Sequence, residues 1–132
     1  MTATSTSPNQ KRSEFANQCV IDASNASDKF SDYRNMAKSA PALIMQSGLI
    51  PTLTYIMSRK SNPEKVALGK DILRWLKETN YVKSLDIQKA FGELFELNSD
   101  RYIDATQETF ELLTWLRQLS DFYSTNSAGD RR

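Results

Sequence analysis

The sequence predicts an all-α protein, a single compact bundle of about five to seven helices. Apolar residues recur at intervals of three and four, and no stretch alternates with the period of two that a half-buried strand requires. Ser, Asn, Pro and Gly punctuate the chain where helices start and stop. With 132 residues, 39% of them hydrophobic, the chain is long enough to bury roughly two-thirds of its unfolded surface in one core and too short for a second.

The elements follow in order. Ser7 followed by Pro8 reads as an N-cap with proline at the first helical position. Phe15, Cys19, Ala23, Ala26, Phe30, Tyr33, Ala37 and Ala40 then step by 4, 4, 3, 4, 3, 4 and 3. That is one face of a long helix, or of two nearly collinear helices with a break near Asn25 to Ser27. Pro41 is expected to end it and to open a short helix, PALIMQS, which Gly48 terminates in the left-handed conformation. Pro51 starts TLTYIMSRK, and Ser61, Asn62 and Pro63 form the next stop and start. The helix from Pro63 to Glu78 turns Leu68, Ile72, Trp75 and Leu76 inward. Another runs from an N-cap at Ser84 to Leu97, with Ile87, Phe91, Leu94 and Phe95 inward. Ser99, followed by Asp100 near the positive end of the helix dipole, begins the last and longest helix, which reaches about Tyr123. The helical domain therefore spans 8–123, between Ser-, Thr- and Gly-rich tails at 1–7 and 124–132 that are expected to be disordered.

Composition removes several functions. The chain contains no His and a single Cys, which excludes Ser-His-Asp, Cys-His and two-histidine metal schemes. Cys19 lies on the apolar stripe of the first helix with no cationic pair nearby in sequence, and reads as an inert core thiol. Gly69-Lys70 is no phosphate loop, because Glu64 and Asp71 stand where such a loop needs Gly and Ser or Thr. No apolar run approaches the roughly 18 residues of a membrane span, and MTATSTSPNQ has neither the basic nor the apolar region of a secretory signal. The cytoplasm is the expected compartment. No catalytic residue, metal or cofactor is assigned.

Charge is segregated beneath a net of +1. Residues 29–89 hold eleven basic and five acidic groups, and residues 90–123 hold two and seven. Lys70, Arg74 and Lys77 fall within roughly 60° of one another on the helix face opposite Leu68, Ile72 and Trp75. Arg34 and Lys38 make a second cationic pair at i and i+4, and Arg59 and Lys60 a third at a helix end. Three such groups in one stretch favour a phosphate backbone, and without an aromatic RNA-binding signature no base-specific reading is expected. Asp100, Asp104, Glu108 and Glu111 lie within roughly 80° on the last helix. Their stripe fits a solvated face, a docking surface for a basic protein or, least well, a metal site, since di-metal bundles draw ligands from several facing helices.

Two blocks carry a family resemblance. In the first, Tyr33-Arg34, Ala37-Lys38, Pro41 to Ile44, Gly48-Leu49, Thr52-Leu53 and Tyr55, and in the second, Tyr102, Thr106, Glu108 and Trp115 to Arg117, resemble the small subunit of the type III-B CRISPR (Cmr) effector complex. The likeness spans residues 30–123. Pro51 and the long polar N-terminus depart from the family's pattern and leave the start of one helix and the N-terminal contacts open. The resemblance implies an all-helical, non-catalytic subunit of a ribonucleoprotein that acts in antiviral defence. Several copies are expected to stack beside the other subunits and to line the groove where target RNA pairs with guide RNA. On this reading Lys70, Arg74, Lys77, Arg34, Lys38, Arg59 and Lys60 contact RNA, and Asp100, Asp104, Glu108 and Glu111 face a neighbouring subunit. A helical protein adaptor without RNA binding, and a metal-dependent nuclease using the acidic stripe, are the alternatives from other classes.

Overall fold

A computed structural model describes residues 7–26 and 28–130, with side chains as far as Ser124. The described residues form six helices and no strand: α1 Pro8–Ala26, α2 Phe30–Ser47, α3 Leu49–Met57, α4 Pro63–Glu78, α5 Ile87–Glu96 and α6 Ser99–Asp130. Residues 1–6, 131 and 132 of the expected tails, and Ser27 in the expected break, lie outside the described residues.

The start of α1 is a capping box. The Ser7 hydroxyl accepts from the Gln10 amide at 3.1 Å while the Gln10 side chain accepts from the Ser7 amide at 2.8 Å, satisfying two helix-end donors reciprocally. Asn62 caps α4 through the Lys65 amide, with Pro63 at the first helical position. At its other end Asn80 adopts φ 70°, and the Asn80 and Tyr81 amides fold back onto the Lys77 and Leu76 carbonyls at 3.0 and 2.8 Å. This is a Schellman termination with Asn in the left-handed position.

Several expected boundaries are corrected. Pro41 neither ends a helix nor opens one; it lies inside α2. A proline costs a helix interior about 3 kcal/mol, but Tyr33, Met36, Ala37 and Ala40 before it and Ile44 after it are all buried, and continuing the helix keeps them on one packed face. Gly48 does end α2, at φ 95°. α3 begins at Leu49 rather than Pro51 and stops at Met57 rather than Lys60. Pro51 thus sits in the first turn, where its missing N–H has no intrahelical partner to lose.

The α5 cap is Asp86, which accepts from the Lys89 amide at 3.1 Å, while Ser84 accepts from the Asp86 amide at 3.0 Å. Ser84 therefore shapes the approach to the helix without capping it. α5 buries Ala90 and Leu94, leaving Ile87 39% and Phe95 70% exposed, against expectation. A ten-residue helix docked mainly on α3 has one narrow stripe covered, and its flanks stay open. Asn98 caps α6 through the Arg101 amide at 2.9 Å, and α6 continues to Asp130, seven residues past the expected end.

One core joins the elements. Ala16, Cys19 and Val20 of α1, Tyr33, Met36 and Ala37 of α2, Leu49 and Leu53 of α3, Leu68, Ile72 and Leu76 of α4 and Leu112, Leu113 and Leu116 of α6 are all buried. α2 runs antiparallel to α6, since Arg34 and Lys38 meet Asp121 while the Ile50 amide, beyond the other end of α2, donates to the Tyr102 hydroxyl. No described helix is long and apolar enough to cross a membrane.

Candidate nucleic-acid interface

Burial of Leu68, Ile72, Trp75 and Leu76 turns Lys70, Arg74 and Lys77 away from the core, as the helical spacing requires. The three cations nonetheless differ. No carboxylate of the described residues lies within ion-pair distance of Lys70 or Lys77, whereas Arg74 is held by its own molecule. Its Nη2 donates to Asp71 Oδ1 at 3.0 Å and reaches Cys19 Sγ at 3.3 Å, and the guanidinium carbon lies 5.1 Å from the Phe15 ring centroid.

Arg74 is the outer member of a half-buried network that links α1, α2 and α4. The buried Tyr33 hydroxyl donates to Asp71 Oδ2 at 2.7 Å. Burial pushes the Asp71 carboxyl above the ordinary range, and the contacts from Tyr33 and Arg74 only partly offset it. Burial likewise pushes the Cys19 thiol up to about 12; Asp71 adds to the shift and Arg74 opposes it. A cation therefore does stand beside Cys19, contrary to the sequence reading, supplied from 55 positions away. Desolvation outweighs it, and the thiol stays protonated at neutral pH.

The other cationic groups also divide. Lys38 Nζ lies 3.2 Å and Arg34 Nε 3.9 Å from the same Asp121 carboxylate oxygen of α6. Arg59 lies over the Tyr55 ring at 4.3 Å from its centroid. Lys60 and Lys70 line a small open cleft of about 260 Å³ together with Pro63, Val66 and Ala67. Across the described residues, Lys60, Lys70 and Lys77 are the cations of the expected set that meet neither a carboxylate nor an aromatic ring.

The acidic stripe of α6 divides in the same way. Asp100 and Asp104 are exposed. Glu108 takes both Arg12 Nε at 2.5 Å and Arg12 Nη2 at 3.1 Å, and accepts from Trp75 Nε1 at 2.7 Å; Glu111 lies 3.3 Å from Arg12 Nη1. Burial raises the Glu108 carboxyl, but the Arg12 and Trp75 hydrogen bonds outweigh it and hold the group below the ordinary range. The Glu108 hydrogen bond raises the Arg12 guanidinium correspondingly. The basic partner of these two carboxylates thus lies within the chain. Their network lines an open cavity of about 720 Å³ between α1 and α4. No group of three or more Cys, Asp or Glu side chains among the described residues is arranged to hold a metal ion.

Arg12, Asp71 and Asp121 decide which expected site residues are free, and the sequence reading marks none of the three as a pairing partner. Each acts across at least two helices, except that Asp71 also meets Arg74 at i+3, a spacing that was visible.

A family model described as CRISPR-associated protein (Cas_Cmr5) matches residues 8–123. The fold is similar to the crystal structure of a CRISPR-associated Cmr5 family protein from Thermus thermophilus, with a TM-score of 0.75 and 23% sequence identity over 89% of this chain and 96% of that one. The family match takes in α1 to α5 and most of α6, including both blocks of motif residues on α2, α3 and α6 and the whole cationic face of α4. The chain accordingly belongs to the Cas_Cmr5 family of CRISPR-associated proteins.

Proposed function

We propose that the chain is a non-catalytic small subunit of a Cmr-type, RNA-guided effector complex, acting in antiviral defence. It contacts the guide and target RNA backbone through its free cations, with the other effector subunits and further copies of itself as protein partners. The observation that carries the RNA reading is the set Lys60, Lys70 and Lys77: exposed, unpaired with any described carboxylate, and distributed from the α3–α4 turn along α4. Clustered cations of this kind gain affinity by displacing the counterions around phosphates. Arg74, Arg34 and Lys38 take part by exchanging Asp71 or Asp121 for phosphate, and rank below the free lysines for that reason. The exposed carboxylates Asp100 and Asp104 serve contacts with a neighbouring subunit, because Glu108 and Glu111 are already engaged by Arg12.

Replacing Lys60, Lys70 and Lys77 together with Ala tests this in the assembled complex. Target-RNA binding is expected to weaken about equally for unrelated guide–target pairs, and the slope of log affinity against log salt to flatten by roughly 2. An unchanged slope in a correctly assembled complex favours the protein-adaptor reading instead. Metal-dependent RNA cleavage by the purified chain, lost on Asp104→Ala, would overturn the non-catalytic assignment.

A further inference from the structure

The cations of this surface include one that is built differently from the rest. Three arginines among the described residues lie over aromatic rings: Arg74 over Phe15, Arg101 over Tyr81 and Arg59 over Tyr55. Two of them are committed elsewhere. Arg74 is bound to Asp71 and Cys19, and Arg101 Nη2 donates to the Asn80 carbonyl at 2.6 Å. The Arg59 guanidinium makes no hydrogen bond or ion pair to a described residue, and both members of its pair are exposed, Tyr55 to 41%.

Tyr55 is also out of character for its helix. Its neighbours Leu53 and Ile56 are fully buried, yet this aromatic residue stays partly open to solvent two residues before the end of α3. The next residue after Arg59 is Lys60, which with Lys70 borders the cleft of about 260 Å³ whose wall is formed by Pro63, Val66 and Ala67. An exposed ring backing a planar cation is thus followed, at the next residue, by a cleft that pairs an apolar wall with two lysines.

We propose that the Tyr55–Arg59 pair is a stacking platform for an unpaired nucleobase, whose adjoining phosphate lies in the cleft between Lys60 and Lys70. This deepens the RNA reading above and rests on it. Bases stack on guanidinium planes and aromatic faces without regard to sequence, because every base presents a π-face. Arg59 covers one face of the Tyr55 ring, so the base meets the guanidinium, and Tyr55 holds that plane in place as a positioning residue. The ligand class is single-stranded nucleic acid, not a bare polyanion. The aromatic component that the sequence lacked as a motif is thus assembled at i and i+4 around the end of a helix.

Charge-conserving substitution separates stacking from electrostatics. The full-length chain is titrated with a fluorescent single-stranded oligoadenylate of about twelve nucleotides and, as a probe with phosphates and no bases, with inorganic polyphosphate. Arg59→Lys keeps the charge and removes the plane, and Tyr55→Ala removes the backing ring. Each is expected to weaken oligoadenylate binding roughly five- to hundredfold while changing polyphosphate binding less than about twofold. Tyr55→Phe, which keeps the ring, is expected to stay within about twofold of wild type for both probes. Oligoadenylate binding that is unchanged by Arg59→Lys and Tyr55→Ala, in a chain whose binding still falls on loss of Lys60 and Lys70, overturns the platform and leaves the backbone reading standing. A wild-type chain that binds neither probe at low salt overturns both.

Discussion

Arg12 and Glu108 show how one pair of residues fixes the relation of two helices. Arg12 is only 6% exposed, and its guanidinium is satisfied by Asn9 within α1 and by Glu108 and Glu111 of α6. Removing the main partner leaves the buried charge with only Asn9 and the more exposed Glu111 to compensate it, so Glu108→Ala should cost about 2–3 kcal/mol in a urea titration at pH 7. The two perturbed carboxylates should also give pH effects of opposite sign. Glu108 binds its proton less tightly in the folded chain than in the unfolded one. It therefore stabilises the fold above the ordinary Glu value of about 4.3, and that contribution is lost as the pH falls through its lower folded value. Asp71 binds its proton more tightly when folded. Its contribution is complete below the ordinary Asp value of about 3.9 and is lost as the pH rises through its higher folded value. Urea midpoints measured across the acid range should show Glu108→Gln weakening the loss of stability towards low pH, and Asp71→Asn weakening the loss that accompanies the rise from about pH 4. The same sign of change in both variants would contradict the assignment.

Helices expose what local sequence can and cannot specify. Ser7-Pro8 and Asn62-Pro63 were legible because capping is decided within four residues, and the inward face of α4 because its apolar residues recur at 3.6. Pro41 misleads a local reading because its penalty is real, while the packing that overrides it comes from other helices. Pro41→Ala should consequently stabilise the chain by about 1–2 kcal/mol, restoring the helical bond to the Ala37 carbonyl at some loss of unfolded-state restriction, as a higher urea midpoint would show. Gly69 makes the converse case. A Cβ there would lie 2.5 Å from Met57 Sδ and 3.0 Å from Ile56 Cγ2, so glycine is what lets α4 approach α3. Gly69→Ala gains helix propensity of about 1 kcal/mol and loses more to overpacking, for a net cost of about 1 kcal/mol. Pairing it with Met57→Ala should give a double-mutant cycle in which the two losses do not add. At the candidate site, the outward turn of Lys70 and Lys77 could be read from spacing. The capture of Glu108 by Arg12, 96 positions away, could not, because nothing short of the tertiary fold brings those helices together.

At the scale of the whole molecule, the segregated charge of the sequence falls on different elements, with exposed Lys60, Lys70 and Lys77 on the α3–α4 turn and α4 and exposed Asp100 and Asp104 at the start of α6. Groups of opposite charge on different elements of one chain would suit the proposed head-to-tail contact between copies, a heterologous arrangement that continues rather than closing. Contacts between exposed charges are weak, typically below about 1 kcal/mol each, and screened by salt. The isolated chain should therefore be monomeric or only weakly associated at low micromolar concentration in physiological salt. On the proposed function, association would become favourable where a shared guide RNA holds copies together at an effective concentration that reaches the millimolar range. Reversing the acidic surface with Asp100→Lys and Asp104→Lys should leave the helical spectrum and thermal midpoint of the free chain nearly unchanged, since exposed substitutions generally alter stability by no more than about 0.5 kcal/mol each. Native mass spectrometry of the assembled complex should then show fewer copies of this chain per guide RNA, with a deficit that grows as salt is lowered and the like-charge repulsion strengthens. Full occupancy by the reversed chain at every salt concentration would remove the α6 carboxylates from the interface and leave apolar contacts, such as those open to Phe95 and Ile103, to hold neighbouring copies.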